Sequence, residues 1–252
     1  MKKFRLRGLA VVMGALAFFL AQGWLDAAQA GSKAVYGEPK PLGQGTARSV
    51  VFLDEGGNPE SIGFSLSDGA LSALPAGPAP SELALELPAG TPVPPFTHLT
   101  LDWNPVGHEP PGIYDTPHFD FHFYFITPNE RLKISARDKE QFAKAPPAEF
   151  MPGDYRATPG GVPRMGAHWV DVTSPEFRGK PFTATFIYGT YDGAVVFLEP
   201  MASYGFLKSG GDFFAAIKQP GAYAAPGYHP AAYRIAHRQS EHLILLEGLA
   251  RH

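Results

Sequence analysis

The chain is expected to be all-β, built as a sandwich or a cupin-like, jelly-roll barrel with long Pro- and Gly-rich loops and one short helix. Three observations point there. The 252 residues carry 28 Gly and 26 Pro, which punctuate many short strands. Nineteen Phe suit half-buried pleated surfaces. The run from His118 to Phe125, His-Phe-Asp-Phe-His-Phe-Tyr-Phe, alternates with period two, as a strand facing two environments must.

Residues 1–30 read as an export segment. Lys2, Lys3, Arg5 and Arg7 precede an apolar run from Gly8 to Leu20, and Ala28-Gln29-Ala30 supplies a small-residue cleavage site. The mature chain is expected to begin at Gly31, in the periplasm or outside the cell, with no stable membrane span after cleavage. Residues 31–47 lack periodicity and read as an N-terminal arm; residues 48–252 read as one β domain with a motif core at 95–205. Its first hairpin joins Ser49–Asp54 to Ile62–Leu66 through Gly56-Gly57-Asn58-Pro59. A short helical turn at Ala70–Leu74 stops at the prolines from Pro75 to Pro80. Strands follow at Leu83–Leu87 and His98–Trp103, the second with Leu99, Leu101 and Trp103 on its core face.

The segment from Asn104 to Pro117 holds four prolines and two glycines and reads as a long ordered loop leading to the His118 strand. Ala136–Lys144 is the one expected helix. Pro146–Pro163 reads as another loop, followed by a strand over Met165–Asp171. A second hairpin joins Phe182–Tyr188 to Ala194–Leu198 about Asp192-Gly193, which supplies the positive φ of a tight turn. After a Gly- and Ala-rich stretch, Tyr233–Ala236 and His242–Leu246 close the domain.

Composition excludes several classes. The net charge is −3 and becomes more acidic once the basic export segment is removed, which argues against nucleic acid as a partner. Cysteine is absent, so disulfides, thiolate nucleophiles and thiolate ligands go together. There is no GxxxxGK phosphate loop and no GxSxG elbow, and Gly43-Gln44-Gly45 lacks the third glycine of a dinucleotide fingerprint.

The candidate chemistry sits on the period-two strand. His118, Asp120, His122 and Tyr124 share one face, opposite Phe119, Phe121, Phe123 and Phe125. Burying two imidazoles and a carboxylate is costly without partners, so the row reads as metal-ligating or as a hydrogen-bonded polar cluster without an ion. His108, His168 and Glu199 are further ligand candidates, with Glu109 behind them. Asp120 can ligate, orient an imidazole or act as a general base, and Tyr124 can donate to a bound oxygen. With nitrogen and oxygen donors only, the expected cofactor is one divalent transition metal: Zn, Fe, Mn, Ni or Cu. A zinc-type ion would lower the pKa of its water toward neutrality. His98, His229, His237, His242 and His252 read as surface or hydrogen-bonded residues. The cupin pattern offers an analogy of site architecture, although the His-x3-His spacing and the place of Glu199 depart from it.

The runs Trp103–Tyr114, Pro117–Tyr124, Met165–Trp169 and Phe197–Met201 together resemble an uncharacterised family of exported bacterial β-proteins, a domain of unknown function. The resemblance covers roughly residues 95–205, and His-Phe-Asp-Phe-His is its most specific part. It implies export and a shared set of His108, His118, His122, His168 and Glu199. The resulting expectation is an exported metal-binding β-protein, as a metal-water hydrolase or lyase or an oxygenase-like enzyme. The alternative is a non-catalytic binding module of the cell envelope, assembling as a homo-oligomer through exposed aromatic faces.

Overall fold

Two seven-stranded antiparallel sheets dominate the computed structural model, which describes residues 32–252. The export segment read at residues 1–30 lies outside the described residues. The chain begins in sheet I with β1 (Lys33–Tyr36), β2 (Lys40–Leu42), β3 (Gly45–Leu53) and β4 (Pro59–Ser67). A 3-10 turn at Asp68–Leu71 leads to sheet II, entered through β5 (Ser81–Glu86), β6 (His98–Asn104) and β7 (His118–Tyr124). Helices α1 (Pro128–Arg131) and α2 (Lys139–Ala143) precede β8 (Tyr155–Ala157), β9 (Ala167–Asp171), β10 (Ala184–Tyr191) and β11 (Ala194–Ser203). Helix α3 (Tyr204–Lys208) then carries the chain back to sheet I for β12 (Phe213–Ala216). A small ribbon of β13 (Tyr228–His229) and β16 (Ala250–Arg251) brackets the closing hairpin of β14 (Ala232–Arg238) and β15 (Glu241–Glu247).

Sheet I has the order β1-β3-β4-β15-β14-β12, with β2 also on β3; sheet II has the order β5-β6-β7-β11-β10-β9-β8. Both sheets are open, so the described residues form a sandwich and no closed barrel, and the cupin-like alternative falls away. Among the described residues, no helix is long and apolar enough to cross a membrane.

The period-two strand explains how the layers meet. Phe119, Phe121 and Phe123 are fully buried between the sheets, and Phe125 packs at the edge of the same cluster. Phe64 of β4 crosses the interface with its ring centroid 5.1 Å from Phe121 and 5.3 Å from Phe123, both edge-on. Such pairs add about 0.5–1.5 kcal/mol beyond the area they bury. Leu99, Leu101 and Trp103 share that core, as the alternation of β6 requires. The other face of sheet II is therefore turned away from sheet I, and loops cover it.

Two local expectations, the N-terminal arm and the single helix, need correction. Residues 33–42 are not an arm: β1 pairs with β3 from Lys33↔Leu53 to Tyr36↔Val50, and β2 continues on the same strand. Strands of three and four residues are too short to display a period. Helix α2 lies inside the expected Ala136–Lys144, but α1 and α3 were not foreseen. α1 starts on a capping box in which the Thr127 hydroxyl accepts from Glu130 N and the Glu130 carboxylate accepts from Thr127 N. The Ser203 hydroxyl accepts from Phe206 N at the start of α3.

Candidate metal centre

Register builds the site before any side chain is considered. β6 and β7 pair with His98↔Tyr124, Thr100↔His122, Asp102↔Asp120 and Asn104↔His118, so two rows of four polar or aromatic residues lie side by side on the outer face of sheet II. All eight are buried. β11 flanks β7 on the other side and presents Glu199, with Phe197 and Met201 two residues away on the same face. His168 comes from β9, beyond β10, and pairs there with Gly189, which pairs in turn with Phe197. A Cβ on Gly189 would stand 2.0 Å from the Phe197 ring, so only glycine lets that ring lie across β10 beside His168. The loop after β6 folds back through Gly107, whose φ of 73° is left-handed, and the His108 amide donates to the Tyr114 carbonyl at 3.1 Å.

The donors divide into two triads and do not meet at one point. In the first, Asp120 lies 3.1 Å from His118 Nε2 through Oδ1 and 3.3 Å from His108 Nε2 through Oδ2. In the second, Glu199 lies 3.6 Å from His122 Nε2 through Oε1 and 3.6 Å from His168 Nε2 through Oε2. Within each triad one donor atom per residue falls within 4.8 Å of the others. Donors bound to one ion at about 2.0–2.2 Å lie roughly 3.3–3.6 Å apart at tetrahedral angles and roughly 2.8–3.1 Å apart at right angles. The observed separations span those values, whereas 3.6 Å is too long for a hydrogen bond.

Satisfaction of polar groups tells the same story. His118 Nε2, Asp120 Oδ1, His122 Nδ1, His122 Nε2 and Glu199 Oε2 are buried without a hydrogen-bond partner, and only His98 Nε2 and Arg131 Nε share that condition among the described residues. Each such atom costs about 1–3 kcal/mol if nothing satisfies it. The remaining ring nitrogens of the first triad are engaged: His118 Nδ1 lies 2.7 Å from the Thr116 carbonyl and His108 Nδ1 2.7 Å from the Glu109 carbonyl. Donation to those carbonyls places a proton on Nδ1, so each Nε2, facing Asp120, is the nitrogen that would ligate an ion after giving up its own proton.

Electrostatics separates the two triads. Burial pushes Asp120 up, but the charges and contacts of His118 and His108 outweigh it, so its carboxyl stays below the usual range. Burial pulls His108 down, and Asp120 and the Glu109 carbonyl more than reverse that. In the second triad burial dominates. It holds His168 down to about 3, helped by His122, and with Asp120 and Asp102 it raises Glu199 well above a normal carboxyl. His108 and Asp120 can therefore stand as an ion pair, whereas burial favours the uncharged forms of His168 and Glu199.

Asp102, Asn104 and Thr100 were not singled out from the sequence. Asp102 Oδ2 sits 3.2 Å from His122 Nδ1, on the opposite side of the ring from Glu199. Asn104 Nδ2 donates to Asp120 Oδ2 at 2.7 Å, and the Thr100 hydroxyl reaches Asp102 at 3.4 Å. Their signal is the alternation His98-Leu-Thr-Leu-Asp-Trp-Asn104, whose polar face mirrors that of β7. Two other expected residues sit differently from their assigned roles. The Tyr124 hydroxyl lies against the Arg164 carbonyl at 3.5 Å, and its ring stacks between His98 (4.8 Å) and His122 (5.6 Å), making it a wall of the site. Glu109 contributes its carbonyl; the residue is exposed beside half-buried His108 and brings no carboxylate contact to the triad among the described contacts.

With the geometry in hand, one comparison with known proteins gives a match. The chain is similar to the TTHB210-like family over residues 54–103. That model is described as "Hypothetical protein TTHB210", which fits an uncharacterised family and names no activity. The matched stretch runs through β4, β5 and β6 as far as Trp103, and so includes His98, Thr100 and Asp102 of the polar row but not Asn104. No curated protein and no solved structure matches the chain.

Proposed function

We propose that the chain is an exported metalloprotein holding divalent transition metal in the two neighbouring triads of sheet II, each made of two histidines and one carboxylate. The supporting observation is the set of four buried atoms without a hydrogen-bond partner, His118 Nε2, Asp120 Oδ1, His122 Nε2 and Glu199 Oε2, that face one another within the triads at ligand-to-ligand separations. Three protein donors per triad leave coordination positions open, where an ion of the zinc class supplies an acidified water; hydrolysis is the reaction class this suits. The chain's residues have distinct parts in this reading. Asp102 orients His122 and keeps its Nε2 free, while Asn104 fixes the Asp120 carboxylate. His108 is the most solvent-reaching donor, its side chain 37% exposed, so substrate approaches over the first triad. Phe182 beside His118 and Phe197 beside His122 and His168 keep the donor faces dry. Export rests on the basic, apolar and small-residue order of residues 1–30.

The test is elemental analysis of the untagged chain from Gly31 onward, as purified and after reconstitution. Close to one equivalent per triad is expected. His122→Ala should remove the second-triad ion while the Phe119, Phe121 and Phe123 side keeps the fold. Only trace metal in the wild type, or undiminished metal in the variant, refutes the proposal.

A further inference from the structure

We infer that Asp68, His237 and His242 form a separate site for a divalent cation of the zinc, nickel and copper class, at the tip of the β14–β15 hairpin in sheet I. His237 and His242 are cross-strand partners, so their rings share one face of the hairpin. The two-residue turn between the strands has Gln239 at φ 48° and Ser240 at φ 68°, the double positive φ of a type I′ turn that fixes register. The Asp68 amide donates to the Ser240 carbonyl at 3.1 Å, which ties the 3-10 turn to the hairpin tip. Asp68 Oδ1 then stands between two imidazoles, 2.6 Å from His237 Nε2 and 3.7 Å from His242 Nε2, with the ring centroids 4.4 Å apart.

A His237–Asp68 ion pair alone leaves His242 unexplained. The His242 side chain is only 8% exposed and makes no hydrogen bond among the described contacts, yet its Nε2 faces the same carboxylate oxygen. Two imidazoles and one carboxylate within 4.8 Å form a nitrogen-rich donor set that suits a borderline cation better than calcium or magnesium. Asp68 is half exposed, which leaves room for water to complete the coordination shell.

The experiment counts zinc bound at equilibrium dialysis by the untagged chain and by His237→Asn, Asp68→Asn and His122→Ala. The first two are expected to bind one equivalent less than wild type and His122→Ala to keep the hairpin equivalent. Equal zinc in wild type, His237→Asn and Asp68→Asn overturns the inference. Loss in those two variants with none in His122→Ala upholds it while refuting the sheet II proposal, so the two failures are distinguishable.

Discussion

Glu199→Gln is the sharpest perturbation of the second triad, because it preserves shape while removing the charge that a cation requires. In the metal-free protein, burial together with Asp120 and Asp102 keeps the Glu199 carboxyl protonated far above its usual range. The neutral amide therefore resembles the metal-free side chain, and metal-free stability should change by no more than about 1 kcal/mol. With zinc the two proteins diverge. A site saturated at roughly 100–1,000 times its Kd stabilises the fold by about 2.7–4.1 kcal/mol. A chain of this size gains about 2–4 °C per kcal/mol, so each filled triad is worth roughly 5–16 °C in Tm. Above their chelated states, wild type should show one such increment more than Glu199→Gln. Zinc uptake by wild type should also release a proton that the variant lacks, read calorimetrically in buffers of different ionisation enthalpy. Differential scanning calorimetry with chelator and with zinc measures the shifts. An identical zinc shift in both proteins, or none in wild type, refutes the reasoning.

Three further predictions test the surroundings. Gly189→Ala places a Cβ 2.0 Å from the Phe197 ring, which must move away from His122 and His168; zinc affinity of the second triad should fall by about 10–100-fold with every ligand intact, and an unchanged binding isotherm would count against the geometry. Phe121→Ala removes a fully buried ring from the sheet interface and should cost about 3–5 kcal/mol by urea unfolding while metal stoichiometry stays constant at low temperature; parallel loss of metal would show that the two faces of β7 are not independent. Burial pushes Glu82 up, but its bidentate contact with Arg131 and the charge of Arg164 leave it below the usual 4.5. A depressed carboxylate stabilises above its unfolded pKa and loses that contribution as pH falls through the folded value, so the stability gap between wild type and Glu82→Gln should hold at neutral pH and close as pH falls below about 4.5; a gap that is constant or widens on acidification contradicts the assignment.

The strands legible in the sequence were those whose pattern is redundant. β7 and the residue after it alternate from His118 to Phe125, and the β10–β11 hairpin combines alternation with Asp192-Gly193, where Asp192 has φ 50° and Gly193 φ 80°. β1, β2 and β12 carry three or four residues and gain their stability from a neighbour, which no local window contains. α1 is different, because Thr127-Pro128-Asn129-Glu130 is a complete capping box with proline at the first helical position, a helix-start signal carried by the sequence itself.

The candidate site divides along the same line. A row of ligand-type residues is visible in one strand because side-chain direction is local, and the rings opposite tell which face is dry. The partner row on β6 has an equally regular alternation, but His98, Thr100, Asp102 and Asn104 look like an ordinary wet face until register sets them beside β7. The separation into two triads was within reach of arithmetic. At about 3.3 Å per residue, His118 and His122 have Cα atoms roughly 13 Å apart, near the limit at which two imidazoles on a straight strand can share an ion. The strand therefore offers its two histidines to two different neighbours, the His108 loop and the Glu199 strand, and Asp120 goes with the nearer of them. Only tertiary structure chooses those neighbours, since the loop arrives from 10 residues before the strand and Glu199 from 77 after His122.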